Sequence, residues 1–202
     1  MPGIIVAAKV WRWTPWERFD YDAITYSPYM QIGGIAPSYR GSRLNPYTDG
    51  TAPNTAQNGR VLKGQQHPDF QPPYRDTTNT GGADGTEGAF RLVDVNNNLP
   101  NEFTKWTQEW LAFRQTGRGR RFLEWEWPRL VKADGMWLST ANDCEQYRGR
   151  RPISWNLDAF LPGKGWHRVY SARNIAVPTT NVTWYGPFEF RQIKPVDGVR
   201  GP

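Results

Sequence analysis

The sequence predicts a mainly β protein: a small β-sandwich or barrel with one docked α-helix, at about residues 99–114, and a long irregular arm or loop. Three observations lead there. Short segments with period-2 apolar alternation recur along the chain, separated by Gly, Pro and Asn. Only 38% of the residues are hydrophobic, yet 14% are Phe, Trp or Tyr, so the core has to be built from rings more than from aliphatic side chains. Among 202 residues there are 20 Gly and 17 Pro, which forces much irregular backbone. The aromatic content separates the chain from disordered sequences. Its length fits one domain with arms. The expected division is N-terminal strands in 1–44, an extended irregular arm or loop in 45–88, and a helix plus β-rich remainder of the same domain in 89–202.

Taken in order, Ile4 to Trp13 carries two alternating sets, neither of them strongly polar, and predicts a strand covered on both faces. Ile24-Thr25-Tyr26 and Met30-Gln31-Ile32 are short β candidates interrupted by Pro28 and Gly33-Gly34. From Asn45 to Gly88 the only aliphatic residues larger than Ala are Val61 and Leu62, so neither a helix face nor a sheet face can be assembled there. A stretch of that kind is a functional loop, an arm or a linker. Tyr47, Phe70 and Tyr74 are spaced along it as single anchors, as an arm draped over a neighbouring subunit would need.

Phe103, Trp106, Trp110 and Phe113 fall at i, i+3, i+7 and i+10, with Asn98 or Asn101 as N-cap and Gly117 and Gly119 beyond the end, which predicts the helix. In Arg121 to Trp127, Leu123, Trp125 and Trp127 alternate with Phe122, Glu124 and Glu126, predicting a strand closed by Pro128. Met136 to Leu138, Trp166 to Ser171, Asn181 to Tyr185 and Phe188 to Ile193 read as four further strands.

Glu124 and Glu126 are the best paired carboxylates. On one strand face, two residues apart and between tryptophans, they are where a β-sandwich glycosidase would carry its acid and nucleophile. Arg121 and Arg129 flank them, however, and a Glu opposite an Arg in a sheet is ordinarily a cross-strand ion pair. Cys144 lies between Asp143 and Glu145, acids that raise a thiol pKa, and His67 and His167 stand apart from each other and from it, so no nucleophilic triad or metal set assembles. No phosphate loop or dinucleotide fingerprint is present. No cofactor or metal is expected, and the chain reads as a non-enzyme.

The net charge of +6 comes from the second half: residues 1–100 hold nine Lys/Arg and nine Asp/Glu, residues 101–202 sixteen and ten. Arg outnumbers Lys 19 to 6, which favours ordered, planar contacts over a loose polycation. Two clusters, Arg118, Arg120, Arg121 and Arg148, Arg150, Arg151, lie in loops between structured elements, and they are expected to meet protein partners ahead of a nucleic-acid backbone. Trp11 and Trp13 belong to an aromatic-rich block at the N-terminus and join the candidate interface residues, although most rings in such a chain must be core.

In sum of pattern, a small β domain with long Gly/Pro/Asn/Thr-rich arms resembles the structural proteins of bacteriophage and viral particles. That resemblance implies a tail, connector or capsid-associated component made in the host cytoplasm without a signal peptide. It would not engage a membrane, and its partners would be copies of itself and other virion proteins. A carbohydrate-binding or glycan-cleaving β-sandwich is the first alternative, and a nucleic-acid-binding domain the second.

Overall fold

The computed structural model describes residues 3–19, 29–44 and 123–196, together with the backbone of strands at 60–63, 86–87 and 105–109. Strands occupy 62% of the described residues, and the mainly β expectation holds. Among the described residues, thirteen strands form three antiparallel sheets. In chain order they are β1 (Val6–Arg18), β2 (Tyr29–Ile32), β3 (Gly34–Tyr39), β4 (Ser42–Arg43), β5 (Arg60–Lys63), β6 (Thr86–Glu87) and β7 (Lys105–Glu109). There follow β8 (Leu123–Ala133), β9 (Gly135–Ser139), β10 (Pro152–Leu161), β11 (Gly165–Ala172), β12 (Trp184–Glu189) and β13 (Lys194–Pro195).

The main sheet has six strands in the order β13-β11-β10-β1-β8-β5, the second runs β12-β9-β3-β4, and the third β2-β7-β6. The N-terminal strands interleave with the C-terminal ones: β1 lies between β8 and β10, and β3 beside β9. Neither half could therefore form its sheet alone.

The core is a ring-rich layer between the six-stranded and four-stranded sheets. Trp11 and Trp13 of β1, Leu123, Trp125 and Trp127 of β8, and Trp155 and Leu157 of β10 meet Ile35 of β3, Met136 and Leu138 of β9, and Phe190 in one buried cluster. Trp155 sits 4.8 Å from Phe188 in an edge-to-face arrangement, and Trp13 lies 6.4 Å from Trp155. Both are ring geometries that the aromatic quadrupole favours. Each of these strands puts its apolar set on the inner face because alternate side chains point to opposite sides. The expected double covering of β1 holds only in part: Val6, Ala8, Trp11 and Trp13 are buried on the inner face, and Arg12 is largely shielded and Thr14 buried on the outer one, but Lys9 is 46% exposed and Ile4 and Ile5, before the strand, are exposed.

Strands β3 and β10 have no counterpart among the strands expected from the sequence, and three expected elements take another form. Residues 105–109, inside the predicted helix of 99–114, form strand β7 between β2 and β6. The rest of that stretch lies outside the described residues. Trp106 and Thr107 are mediocre helix formers and good strand formers, and pairing with β2 supplies a backbone ladder that outweighs the 3.6-residue stripe. Pro128 does not end its strand. Pairing passes from Glu126 opposite Val10 to Val131 opposite Ala8, so four residues of β8 oppose one of β1. Pro128 falls in that bulge, where its missing N–H costs no ladder bond. Last, the two strands expected in 181–193 are a single strand, β12, followed by the short β13.

The 45–88 arm lies mostly outside the described residues, but β5 within it extends the main sheet against β8, and β6 pairs with β7. Ile24 to Tyr26 is also outside them. The β10–β11 hairpin turns through Gly163 and Gly165 at φ 72° and 81°, left-handed values that favour glycine. No helix among the described residues is long and apolar enough to cross a membrane.

Candidate functional site

The carboxylates singled out by the sequence lie on the outer face of the main sheet, where strand register assembles a row of charges. Glu124 of β8 is opposite Arg12 of β1, Arg12 is opposite Asp158 of β10, Asp158 is opposite Arg168 of β11, and Arg168 is opposite Lys194 of β13. On the other side of β8, the ladder sets Lys63 opposite Glu124 and Arg60 opposite Glu126. Signs alternate through the middle of the row.

Arg12 donates from Nε at 2.9 Å and from Nη2 at 2.7 Å to Oε2 of Glu124, and its guanidinium lies 4.1 Å over the Trp166 ring. Arg168 clasps Asp158 through Nε and Nη2. Glu126 accepts from Lys9 Nζ at 2.9 Å. Side-chain exposure is 0% for Glu124 and 23% for Glu126, so Glu124 has no surface with which to meet a sugar. This arrangement makes the pair a cross-strand ion-pair set. A retaining or inverting hydrolase needs both carboxyls facing one open cleft.

The second arginine cluster is at the end of the sheet where β1 finishes, β10 begins and β11 leaves. There, the 3-10 turn Arg148–Arg150 precedes β10. Among the described residues, three guanidinium–ring stacks occur in this region. Arg173 lies 4.1 Å from the Trp16 ring centre, Arg151 4.3 Å from Phe19, and Arg150 3.7 Å from Tyr147.

Backbone bonds tie the pieces together. The Phe19 N–H donates to the Arg151 carbonyl and the Ile175 N–H to the Ile153 carbonyl, while Ser154 Oγ donates to Glu17 and accepts from the Asn174 N–H. Each arginine has a different job. Arg151 is buried and donates to the carbonyls of Arg148, Val177 and Pro178, so its charge is spent inside the fold. Burial also pulls its pKa down. Arg150 is shielded and reaches Gln31 and Asp143. Arg148 and Arg173 are exposed, and Phe19 is 48% exposed.

The expectation that Arg148, Arg150 and Arg151 form one partner-facing set is therefore corrected: only Arg148 faces outward, and Arg151 is an internal clamp. Trp11 and Trp13, candidate interface residues by sequence, are fully buried in the core. Arg118, Arg120, Arg121, Tyr47, Phe70 and Tyr74 lie outside the described residues. Arg173 was not singled out by sequence, because what qualifies it is its place over Trp16, a residue far away in the chain.

Cys144 is buried, its thiol donating to the Pro178 carbonyl at 3.7 Å. Burial pushes its pKa up to about 11; Arg151 opposes this and the acids Asp143 and Glu145 add to it. That is the opposite of an activated nucleophile. His167 is also buried and its Nδ1 is 3.1 Å from the Gly165 carbonyl.

No protein-family model, curated protein or solved structure matches this chain, so its function has to be drawn from its own residues.

Proposed function

We propose that the protein is a non-enzymatic structural component of a bacteriophage or viral particle, in the tail, the connector or a capsid-associated layer, and that it works by oligomeric assembly. The observation that carries this reading is the sheet end: Phe19, 48% exposed, is backed by Arg151, Trp16 lies under the exposed Arg173, and Arg148 is exposed as well. Arg and aromatic side chains are the types enriched where protein interfaces carry their binding energy. Here the rings are already fixed by guanidinium stacks and backbone bonds. Association then loses little side-chain freedom, of which about 0.5–1.5 kcal/mol per side chain is otherwise spent. The carboxylates that would support hydrolysis are meanwhile held in ion pairs. Copies of the chain and other particle proteins are the partners.

Light scattering across a wide concentration range tests the proposal. The wild-type protein should form rings or concentration-dependent polymers, and Phe19→Ala with Arg173→Ala should leave a folded, smaller species. A strict monomer, or a double variant that assembles as wild type does, sinks it.

A further inference from the structure

Where the chain crosses from β12 to β13 it changes sheets, and a groove of about 600 Å³ opens beside β11. The opening follows from the register. β13 pairs with β11 only at His167 and Arg168, so Arg191 and Gln192, just upstream, diverge from Tyr170 and Ser171 and leave a wedge between them. Its volume lies within the range of about 300–1,000 Å³ common for small-ligand sites.

The floor of the wedge is rigid. Tyr170 and Phe188 line it with ring centres 5.5 Å apart. Behind them, fully buried Trp155 lies 5.2 Å from Tyr170 and 4.8 Å from Phe188. Glu189, Arg191 and Gln192 line the groove beside these rings, whereas Ser171 contributes lining only, its hydroxyl turned to the opposite sheet face and donating to Asn156 Oδ1 at 2.9 Å. Neither the Tyr170 hydroxyl nor the Gln192 carboxamide has a hydrogen-bond partner among the described residues. Burial raises the Tyr170 pKa, against a smaller opposing pull from Arg191, so the phenol keeps its proton and can both donate and accept.

Charge narrows the ligand. The two ionic groups on the rim, Glu189 and Arg191, pair with each other at 3.0 Å. The groove therefore offers no net charge, and a phosphodiester, sulfate or sialate would have to approach Glu189. An extended peptide fits poorly as well. The outer edge of β11 is free only past Arg168, because β13 closes back on it, and Pro187 on the opposite wall has no N–H to give. What suits a ring platform rimmed by neutral donors and acceptors is a molecule with an apolar C–H face and a periphery of hydroxyls. We propose that this groove binds a neutral glycan, with one pyranose on Tyr170 and Phe188 and its hydroxyls bonded by the Tyr170 hydroxyl, Gln192 and the Glu189–Arg191 pair. The site is separate from Glu124 and Glu126, forms no covalent bond, and does not depend on the assembly reading.

The test is saturation-transfer NMR, with tryptophan fluorescence as a second readout, using lactose, maltose, cellobiose and diacetylchitobiose as probes and 3′-sialyllactose as the charged comparison. At least one neutral disaccharide should saturate the protein with about millimolar Kd or tighter. Gln192→Ala, at a half-buried position outside the core, should raise Kd about fivefold, the loss expected of one neutral hydrogen bond. Tyr170→Phe, which keeps the ring, should do the same, and Tyr170→Ala should abolish binding. The proposal is overturned if no neutral disaccharide saturates, if sialyllactose binds more tightly than lactose, or if Gln192→Ala and Tyr170→Phe both bind as wild type. Oligomeric state does not enter these readouts, so a monomer that binds sugar would refute assembly alone.

Discussion

Replacing Arg12 with Met should destabilise the protein by about 3–5 kcal/mol, whereas replacing Lys9 with Met should cost about 1 kcal/mol or less. Both cations serve a glutamate of β8, and the two glutamates are two residues apart, but their surroundings differ. Glu124 is 0% exposed and Arg12 14%, whereas Glu126 and Lys9 are 23% and 46% exposed. With charge centres about 4 Å apart, an effective dielectric of about 20 gives roughly 4 kcal/mol for the Arg12–Glu124 attraction, while solvent screens the Lys9 pair towards the water limit of about 1. Met keeps the apolar stem that covers the sheet but leaves a buried carboxylate without its guanidinium and uncovers Trp166. Glu124 retains further contacts, which places the loss at the lower end, about 3 kcal/mol.

Urea unfolding followed by tryptophan fluorescence reads this directly. For an m-value of about 2–3 kcal/mol/M the Arg12→Met midpoint should fall by about 1–1.5 M, and that of Lys9→Met should barely move. Adding Glu124→Leu to Arg12→Met should recover most of the loss, because the penalty is the orphaned charge and not the missing attraction. Equal midpoints for the two single variants, or a double variant no better than Arg12→Met, would refute the reasoning. In that case Glu124 would be solvated, and a catalytic role for it would regain its footing.

Three other perturbations have definite outcomes. In Gly33→Ala the new Cβ would run into the backbone carbonyl of Thr140, which is held by backbone hydrogen bonds on either side and cannot move cheaply, and a loss of about 1–3 kcal/mol should appear as a lower melting temperature. Cys144 should ignore a thiol reagent at pH 8 in the native protein and react on unfolding. Its folded pKa lies above the unfolded one, so its contribution is fully present below pH 9 and is lost as pH rises towards about 11. Cys144→Ala should remove about 3 kcal/mol of alkaline pH dependence. Arg151→Ala, which strips three carbonyls and Phe19 of their partner, should cost about 2–4 kcal/mol, while exposed Arg148→Ala should stay within about 0.5 kcal/mol by thermal melting.

The strands that could be read from sequence are those whose pattern is local and strict. Leu123, Trp125 and Trp127 alternate with Glu124 and Glu126, and the structure buries the first set in the core. The 103–113 stripe misleads because aromatic residues placed three or four apart also suit strands, and what decides 105–109 is a backbone partner, β2, some 75 residues away. Non-locality hid the site too. Arg121 and the Arg129 side chain lie outside the described residues, and the described cations on the glutamates come from β1, more than a hundred residues earlier. The groove has no sequence signal at all, since it exists only where two paired segments part.

The charge row shows what such long-range pairing accomplishes. Glu124, Arg12, Asp158 and Arg168 stand on four strands, and each meets its opposite charge only in the observed register. Sliding β1 by one residue against β8 would carry Trp11 and Trp13 outward and push Arg12 into the ring-filled core. Correct pairing is thus favoured by burial of the tryptophans on one face and by charge matching on the other. Wrong pairing is penalised on both, so the row works chiefly by excluding alternative sheets, whatever net stability its ion pairs add.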